Sequence, residues 1–348
     1  MLYLCRMEFF YSEKNGWNKW LKSIASKKYS SCFVLVDQNT AKHCLPYFKK
    51  QVDFPFTLIT VAGGEASKNL KTCTVIWEAL LKGGADRHSL LIILGGGVLT
   101  DMGAFAAATF QRGIQFTVVP TSLMAMTDAA IGGKTGVNFG PIKNQIGTFT
   151  QAESLLLDTR FLNTLPLLEL HSGFAELLKH GILKGGTYWK QLASLSTPTI
   201  PYLEKLLPVS ISYKQHIVDA DAKESGLRKV LNFGHTIGHA IESLHLAKRK
   251  PITHGAAVLQ GMWVEIVLSV AHAGLKPEIA NQLFEVLERF TKIPTYTEKE
   301  ISLLLSYLQH DKKNNSGNCQ FVLLEAIGKP VFNQVVALDH IAHALRIC

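Results

Sequence analysis

Four short apolar runs in the first part of the chain set its fold class. They span residues 31–36, 58–62, 90–94 and 116–119 and are rich in aliphatic and β-branched side chains. Runs of this length are typical of strands buried on both faces of a parallel sheet. Apolar residues at helical spacing over 72–82 separate two of them. The alternation predicts a Rossmann-like α/β domain, which binds ligands at the carboxyl ends of its strands.

Acidic and glycine-rich segments follow three of these runs. Asp37 ends the first run, and Glu65 and Lys68 follow the second. The third run continues into Gly95-Gly96-Gly97 and a predicted helix that carries Asp101. Glycines here allow a ligand to approach the backbone, and the first turn of a helix offers N–H groups to a phosphate. A pyrophosphate site and a purely structural turn both fit, because the spacing is not Gly-x-Gly-x-x-Gly.

The segment after the fourth run combines hydroxyls, an acid and two lysines with small residues. The residues with this chemistry are Thr121, Ser122, Asp128, Lys134, Lys143 and Asn144. A desolvated lysine is costly unless it meets an anion. The segment is therefore either a long glycine loop or part of an anion site.

The pattern becomes helical in the second half of the chain, from residue 167 onward. An apolar stripe at helical spacing consists of Leu170, Phe174, Leu177, Leu178 and Ile182. We therefore predict an α/β domain over residues 1–160 and an all-α domain over residues 161–348. The cleft between two such halves is the expected site.

Residues 231–242 have the spacing of a metal-binding helix. His235 and His239 are four residues apart, so on a helix both imidazoles project from one face, close to Asn232. Imidazole is a common zinc ligand, and one further ligand would leave a catalytic position open. The candidates for that ligand are Glu176, His254 and His180. From the spacing alone, two histidines that are hydrogen-bonded in the core or at the surface, without a metal, explain the pattern equally well.

Charge and cysteine content narrow the class of partner. The 348 residues carry 36 Lys+Arg against 27 Asp+Glu, a net charge of +9, which favours acidic ligands. There is no aromatic-basic motif for base stacking, so no nucleic-acid partner is expected. Six well-separated cysteines predict reduced thiols and a cytoplasmic protein. Neither a signal peptide nor a membrane span is predicted.

These motifs together resemble the 3-dehydroquinate synthase family of the sugar phosphate cyclases. The similarity spans about residues 37–329. Its most specific segments are 95–101, 107–113, 128–138, 173–181 and 231–242 with His254-Gly255. The resemblance implies a homodimeric enzyme that depends on NAD and on Zn²⁺, with Co²⁺ as an alternative ion.

The resemblance also implies roles for individual residues. The metal ligands would be Glu176, His235 and His254, which moves His239 from the metal to the substrate phosphate. The NAD contacts would be Asp37, Glu65, Lys68, Gly96, Gly97, Asp101, Thr121, Ser122, Asp128 and Lys143. The substrate contacts would be Lys134, Asn144, Lys179, Lys214, Arg228, Asn232, His239, Lys312 and, across a dimer interface, Arg112.

The implied reaction converts 3-deoxy-D-arabino-heptulosonate 7-phosphate to 3-dehydroquinate and phosphate in the shikimate pathway. It would proceed by transient NAD reduction, phosphate elimination, re-reduction and aldol cyclisation, so the enzyme would be a phosphorus–oxygen lyase. The alternatives are a metal- and NAD-dependent polyol dehydrogenase, a cyclase for another heptose or hexose phosphate, and a binding protein without turnover. Arg228 and Lys134 suit the carboxylate of the heptulosonate, which the other cyclase substrates lack.

Three positions depart from the family pattern. Ala256 stands where a Glu usually follows His-Gly, Ala222 replaces an acid, and Leu168 replaces an Arg. None of the three is an implied metal ligand. Substitutions of residues that surround a metal site without binding the ion typically lower metal affinity or activity by about 10–100-fold.

Overall fold

The structure is a computed structural model that describes residues 7–140, 142–309 and 319–347. The chain forms two compact units, Met1–Pro166 and Leu167–Cys348. The α/β class expected for the first and the helical class expected for the second are confirmed.

The first unit is built on a parallel sheet. The strands of this unit are β1 (Glu8–Tyr11), β2 (Cys32–Asp37), β3 (Thr57–Val61), β4 (Leu90–Gly95), β5 (Gln115–Pro120), β6 (Lys134–Phe139), β7 (Ile142–Phe149) and β8 (Ser154–Leu157). Six of them form the sheet in the order β1-β8-β5-β4-β2-β3, and β6 pairs with β7 as an antiparallel hairpin. The four apolar runs of the sequence form β2 to β5, as predicted.

Helices connect the strands and cover the sheet. They are α1 (Gly16–Ser26), α2 (Gln38–His43), α3 (Leu45–Gln51), α4 (Leu70–Lys82) and α5 (Gly97–Thr109). The central strands β2 and β4 are buried along almost their whole length, which explains their unbroken apolar sequences. Gly103 lets α5 approach the sheet closely, because a Cβ there would lie 2.7 Å from Cδ2 of Leu35.

The strand order reverses between β2 and β4. The chain continues from β2 to β3 on one side and from β4 to β5 on the other. The carboxyl ends of the two strands carry Asp37 and Gly95. In open parallel sheets, a reversal of this kind opens a crevice in which ligands bind.

The second unit is mainly helical. Its helices are α6 (Leu167–Lys184), α7 (Gly186–Ala193), α8 (Ile200–Ala220), α9 (His235–Ala247), α10 (His254–His272), α11 (Pro277–Leu287), α12 (Glu298–Gln309) and α13 (Leu338–Ile347). The expectation of an all-α unit needs one correction, since β9 (Cys319–Ala326) and β10 (Lys329–Val336) form an antiparallel hairpin. The hairpin is stable here because Phe321 and Leu323 join the core of α9, α10, α12 and α13.

Helix α10 is the core helix of this unit. It contacts α6, α9, α11, α13 and β9. Its length and apolar composition, with a hydropathy of 1.3, would also suit a membrane span, but 67% of the apolar window is buried inside the protein. The buried position explains the apolar composition of the helix without a membrane.

Candidate metal and substrate site

One buried carboxylate organises the start of α9. Glu265 on α10 is fully buried, and its Oε2 accepts the N–H of Gly234 at 2.7 Å. Its Oε1 accepts the N–H of Ile237 at 3.4 Å. Negative charge is favourable at a helix N-terminus, where the first N–H groups lack partners within the helix. Glu265 therefore caps α9 from a neighbouring helix.

The segment 231–242, which has helical spacing, is not one continuous helix, because the chain turns at Gly234. This residue has φ +78°, and a Cβ on it would lie 2.4 Å from Cγ of Met262. Only glycine meets both conditions without strain. Asn232 ends a separate 3₁₀ helix, Leu227–Asn232, and His235 is the first residue of α9.

The first turn of α10 is held against α6. Ser172 Oγ accepts the N–H of Gly255 at 3.0 Å, and a Cβ at Gly255 would lie only 2.1 Å from the carbonyl oxygen of Ser172. Thr253 caps the helix by accepting the N–H of Ala256. This close contact places His254, the first residue of α10, beside Glu176, which lies one turn after Ser172 on α6.

Glu176, His235 and His254 meet at this junction. Glu176 Oε1 lies 3.5 Å from Nε2 of His235 and 3.8 Å from Nε2 of His254. The rings of His235 and His254 have centroids 5.3 Å apart. His239 is close as well, because one ligand nitrogen from each of the three histidines lies within 4.8 Å of the others. The structure therefore brings together the three implied metal ligands and the histidine that spacing had paired with His235.

The cluster fits a divalent metal ion. Four-coordinate zinc with bonds of about 2.0–2.2 Å holds its ligand atoms about 3.3–3.6 Å apart, close to the distances of 3.5 Å and 3.8 Å from Glu176 Oε1 to the two imidazoles. Glu176 Oε1 is fully buried and has no hydrogen-bond partner among the described residues, a costly state for a carboxylate unless a cation meets it. His235 Nδ1 lies 3.2 Å from the carbonyl oxygen of Phe233, which leaves Nε2 directed at Glu176.

Two neighbours of the cluster lie on α6, Lys179 and His180. Lys179 Nζ lies 2.5 Å from Glu176 Oε2, and both side chains are buried, so one carboxylate oxygen is neutralised by the lysine while the other faces the histidines. His180 Nδ1 lies 2.6 Å from Ser210 Oγ. A ligand nitrogen of His180 also lies within 4.8 Å of a Glu176 carboxylate oxygen, so His180 stays a candidate ligand beside Glu176.

A short loop presents the buried guanidinium of Arg228. Asp221 accepts the N–H groups of Gly226 at 2.7 Å and Arg228 at 3.0 Å, and these bonds lower the pKa of its carboxyl to about 2. Arg228 Nη1 donates to the carbonyl oxygen of Ala222 at 2.8 Å. Asn232 donates to Glu224 at 2.6 Å in the same segment. Arg228 is 3% exposed, so the loop holds a cation in a largely dry setting.

The structure shows the contacts made at two of the three positions that depart from the family pattern. At position 222 it is the backbone carbonyl that contacts Arg228, and alanine supplies this contact as well as an acid would. Ala256 uses its N–H in the cap of α10. Leu168 is 65% exposed at the start of α6, and nothing in the structure explains its replacement of an arginine.

In the first unit, the predicted glycines lie at the strand reversal. A Cβ at Gly96 would lie 3.2 Å from Ser122 Oγ, and one at Gly97 would lie 3.3 Å from Cβ of Ala129. Asp37 caps α2 by accepting the N–H of Thr40 at 2.8 Å. The crevice is thus lined by backbone at the start of α5, where N–H groups suit a phosphate.

A polar network lies beside this crevice. Lys68 is 4% exposed, and its Nζ donates to Asp101 and Asn144, each at 2.6 Å. Asn138 donates to Glu65 at 2.8 Å and accepts the N–H of Asn144. Burial raises the pKa of Asp101, and the charge of Lys68 opposes that rise. Predicted NAD contacts and a predicted substrate contact therefore share one network.

The other predicted residues are more scattered. Thr121 is buried with its N–H bonded to Gly95, whereas Lys134 and Lys143 are exposed. Arg112 has φ +66°, a rare conformation for a residue other than glycine. The remaining predicted residues are Asp128, in the π-helical turn Ala125–Ala129, and the buried Lys214 on α8. Lys312 lies outside the described residues.

Sequence reasoning missed several residues that build this site. They are Ser172, Glu224, Glu242, Glu265 and Asn138. Each acts through a partner distant in sequence or across a loop, such as Glu242 Oε2, which lies 3.7 Å from Nδ1 of His254. Of these five residues, only Glu265 was recognisable from the sequence, because it is an acid within a long apolar stretch.

A parallel sheet with this strand reversal, followed by a helical unit with a carboxylate–imidazole cluster, is the dehydroquinate synthase-like fold. A solved 2-deoxy-scyllo-inosose synthase with carbaglucose-6-phosphate, NAD⁺ and Co²⁺ matches it with a TM-score of 0.83 and 24% identity, over 98% of this chain and 96% of that chain. The 2-epi-5-epi-valiolone synthase of Streptomyces hygroscopicus subsp. jinggangensis, with NAD⁺ and Zn²⁺ bound, matches with a TM-score of 0.80 and 27% identity, over 92% of this chain and 91% of that chain.

Sequence comparison is more specific. The N-terminal model of 3-dehydroquinate synthase matches residues 58–172, and the C-terminal model matches residues 173–314. The 3-dehydroquinate synthase of Parabacteroides distasonis is 39% identical over 325 residues, 92% of each protein. That of Gloeobacter violaceus is 42% identical over 281 residues, 79% of this chain and 77% of that protein. The chain belongs to the 3-dehydroquinate synthase family.

Proposed function

We propose that the protein is a 3-dehydroquinate synthase that converts 3-deoxy-D-arabino-heptulosonate 7-phosphate to 3-dehydroquinate and phosphate. The observation that carries this proposal is the cluster of Glu176, His235 and His254 in a unit that also buries Lys179 and Arg228. A metal-type cluster beside buried cations suits a substrate that carries both hydroxyls and anionic groups. The identity to curated synthases over most of the chain supports the same reaction.

Glu176, His235 and His254 would hold Zn²⁺, or Co²⁺ in its place. When bound, the ion supplies a Lewis acid for a substrate oxygen. The chain prepares the site by holding Glu176 against Lys179 and by directing Nε2 of both imidazoles at one carboxylate oxygen. The two neighbouring cyclases carry Co²⁺ or Zn²⁺, which supports this choice of ion.

The first unit would bind NAD at its strand reversal. When bound, the dinucleotide supplies a hydride acceptor that is regenerated in each turnover. Gly96 and Gly97 would let the pyrophosphate approach the start of α5, and Lys68 would contribute positive charge nearby. The remaining proposed contacts are Asp37, Glu65, Asp101, Thr121, Ser122, Asp128 and Lys143.

The second unit would bind the anionic ends of the substrate. Arg228, held by Asp221 and Ala222, presents a guanidinium that suits a carboxylate. Asn232 and His239 flank the turn into α9 and would orient the phosphate as it leaves. Lys179 and Lys214 supply further buried positive charge. The substrate contacts proposed by resemblance alone are Lys134, Asn144, Arg112 and Lys312.

A polyol dehydrogenase is the second candidate, because the fold is shared with a glycerol dehydrogenase of Schizosaccharomyces pombe at a TM-score of 0.64 and 16% identity. That likeness concerns the fold alone. The substrate of a dehydrogenase for neutral polyols has no anionic group for the guanidinium of Arg228 to bind. The same residue favours a carboxylate-bearing substrate over other sugar phosphates.

One assay separates these functions. The protein is incubated with the heptulosonate phosphate, catalytic NAD and Zn²⁺, and phosphate release is followed beside NADH absorbance. Phosphate release without net NADH supports the synthase. Stoichiometric NADH from a polyol, without phosphate release from the heptulosonate, would replace the synthase with the dehydrogenase.

The metal assignment has its own test. We expect Glu176→Ala, His235→Ala and His254→Ala to lose bound zinc after dialysis, whereas His245→Gln retains it. His245 is a matched control because it lies on α9 with Nδ1 near the carbonyl oxygen of Lys250, away from the cluster. Full zinc content in all three alanine variants would remove the assignment.

We also propose that the enzyme is cytoplasmic and homodimeric. Support for the first comes from the free thiols of Cys32, Cys44, Cys73 and Cys319. Burial raises the pKa of three of them, Cys32, Cys44 to about 11 and Cys73 to about 12. Support for the second comes from the family and from the unusual backbone of exposed Arg112. Light scattering on the purified protein would test the dimer, and a monomeric mass would exclude it.

A further inference from the structure

His239 lies in the same cluster as the proposed metal ligands but is not one of them. It lies one turn after His235 on α9, and its ring centroid is 5.4 Å from that of His235 and 5.8 Å from that of His254. Ligand nitrogens of these three histidines lie within 4.8 Å of one another. The site therefore contains two overlapping sets of three ligands, one completed by Glu176 and one by His239.

The two sets together contain four ligands, which is the full complement of a tetrahedral zinc ion. Sites with four protein ligands are closed, whereas catalytic sites keep a position open for a substrate atom. We infer that His239 is an exchangeable fourth ligand, which closes the metal site in the resting protein and leaves the ion when the phosphorylated substrate binds. The inference rests on the proposed function for the substrate that displaces it.

The contacts of the four side chains explain why His239 would be the one to move. Glu176 is fully buried against Lys179, and His235 is held through Phe233. His254 has Glu242 behind its Nδ1. His239 is instead exposed at the surface of α9, so its side-chain torsions can change without disturbing the core.

The chemistry of imidazole allows both roles. Neutral imidazole is a metal ligand through one nitrogen, and the same ring donates a hydrogen bond to a phosphate oxygen once it turns away. The i and i+4 positions keep His239 on the same helical face as His235, within reach of either partner. A change of ligand would thereby couple opening of the metal site to binding of the phosphate.

Cobalt provides a direct test, because the visible bands of Co²⁺ are stronger in four-coordinate protein sites than in hydrated ones. Metal-free wild type, His239→Gln and the control His245→Gln are each loaded with one equivalent of Co²⁺, without NAD or substrate. We expect weaker and shifted bands in His239→Gln alone. Chelator competition should show zinc affinity lower by at least about 10-fold in this variant. His239→Asn serves as a second variant, and unfolding of the metal-free proteins checks that each is folded.

A second arm adds the heptulosonate phosphate without NAD to the Co²⁺-loaded wild type. The bands should change toward a spectrum in which His239 is no longer a ligand, and His239→Gln should show a smaller change. Equal spectra and equal zinc affinities for wild type and the folded His239 variants, without substrate, would overturn the inference. That result would leave the proposed function intact, whereas retention of zinc by Glu176→Ala would count against the proposed function itself.

Discussion

The Glu265 carboxylate on α10 accepts the backbone N–H of Gly234 at 2.7 Å, immediately before the first histidine of α9. The two residues are far apart in sequence, yet this bond holds the N-terminus of α9 against α10. Because His235 and His239 both lie on α9, their positions depend on it. Several properties of the protein follow from contacts of this kind.

Glu265→Ala should destabilise the metal-free protein by about 1–3 kcal/mol, since it leaves buried N–H groups without an acceptor. Under the proposed metal assignment, zinc affinity should fall as well, because His235 is the first residue of the uncapped helix. Urea unfolding and zinc titration measure the two effects. Glu285→Gln, an exposed acid on α11, is the control and should change neither. A Glu265→Ala protein with wild-type stability would show that α9 is capped by other means.

Gly261→Ala should separate α9 from α10. A Cβ at Gly261 would lie 2.0 Å from the carbonyl oxygen of Gly234 and 2.6 Å from the N–H nitrogen of Gly238, so backbone would have to shift. We expect a loss of more than about 2 kcal/mol, in the range of overpacked cores. Gly274→Ala is the matched control, because it has φ +75° with nothing within 4 Å and should cost only about 1–2 kcal/mol of backbone strain. Equal losses in the two variants would contradict a steric origin.

Glu242→Gln should lower zinc affinity by about 10–100-fold under the proposed metal assignment. Glu242 Oε2 lies 3.7 Å from Nδ1 of His254, where a carboxylate orients the ring and makes Nε2 a stronger ligand. Chelator competition measures the effect, with Glu285→Gln again as control. If zinc affinity stays at the wild-type value, Glu242 has no role in orienting His254.

Asp221→Asn should disturb the loop that presents Arg228. Under the proposed function, KM for the heptulosonate phosphate should rise about tenfold, equivalent to one weakened hydrogen bond. The folded pKa of about 2 lies below the ordinary value, so the carboxylate's stabilisation is fully present above about pH 4 and is lost as pH falls through 2. The stability difference between variant and wild type should therefore be constant from about pH 5 to 8 and shrink in acid. Asp339→Asn, on the exposed first turn of α13, should show no such loss. A difference that already changes near neutral pH would point to another group.

Lys68→Met should destabilise the first unit by about 1–3 kcal/mol, because Asp101 and Asn144 lose their shared donor. Under the proposed function NAD affinity should fall as well. Lys71→Met, exposed on α4, is the control. Urea unfolding and calorimetric titration with NAD measure the two effects, and unchanged NAD affinity would remove Lys68 from the proposed contacts.

Much of the fold was predictable because its signals are local. Strands β2 to β5 are short apolar runs with turn residues at their ends, and α6 carries a clear apolar stripe. The hairpin β9–β10 was not predicted. Its stability comes from a core shared with four helices, which no short stretch of sequence reveals.

The candidate site was predictable in its residue types and only partly in its arrangement. The spacing of His235 and His239 correctly indicated two imidazoles close together, and the resemblance added Glu176 and His254. The sequence did not predict the break at Gly234, the cap from Glu265 or the position of Glu242 behind His254. Each of these joins backbone or side chains from different segments.

The amino-acid sequence by itself determined the alternation of strand and helix, the family, and the set of carboxylate and imidazole groups available to a metal. Only the tertiary structure decided that Glu176, His235 and His254 meet, and that His239 stands beside them. The physical reason is that periodicity and composition act over a few residues. The distances between side chains are set instead by close packing of α6, α9 and α10 through Gly255 and Gly261.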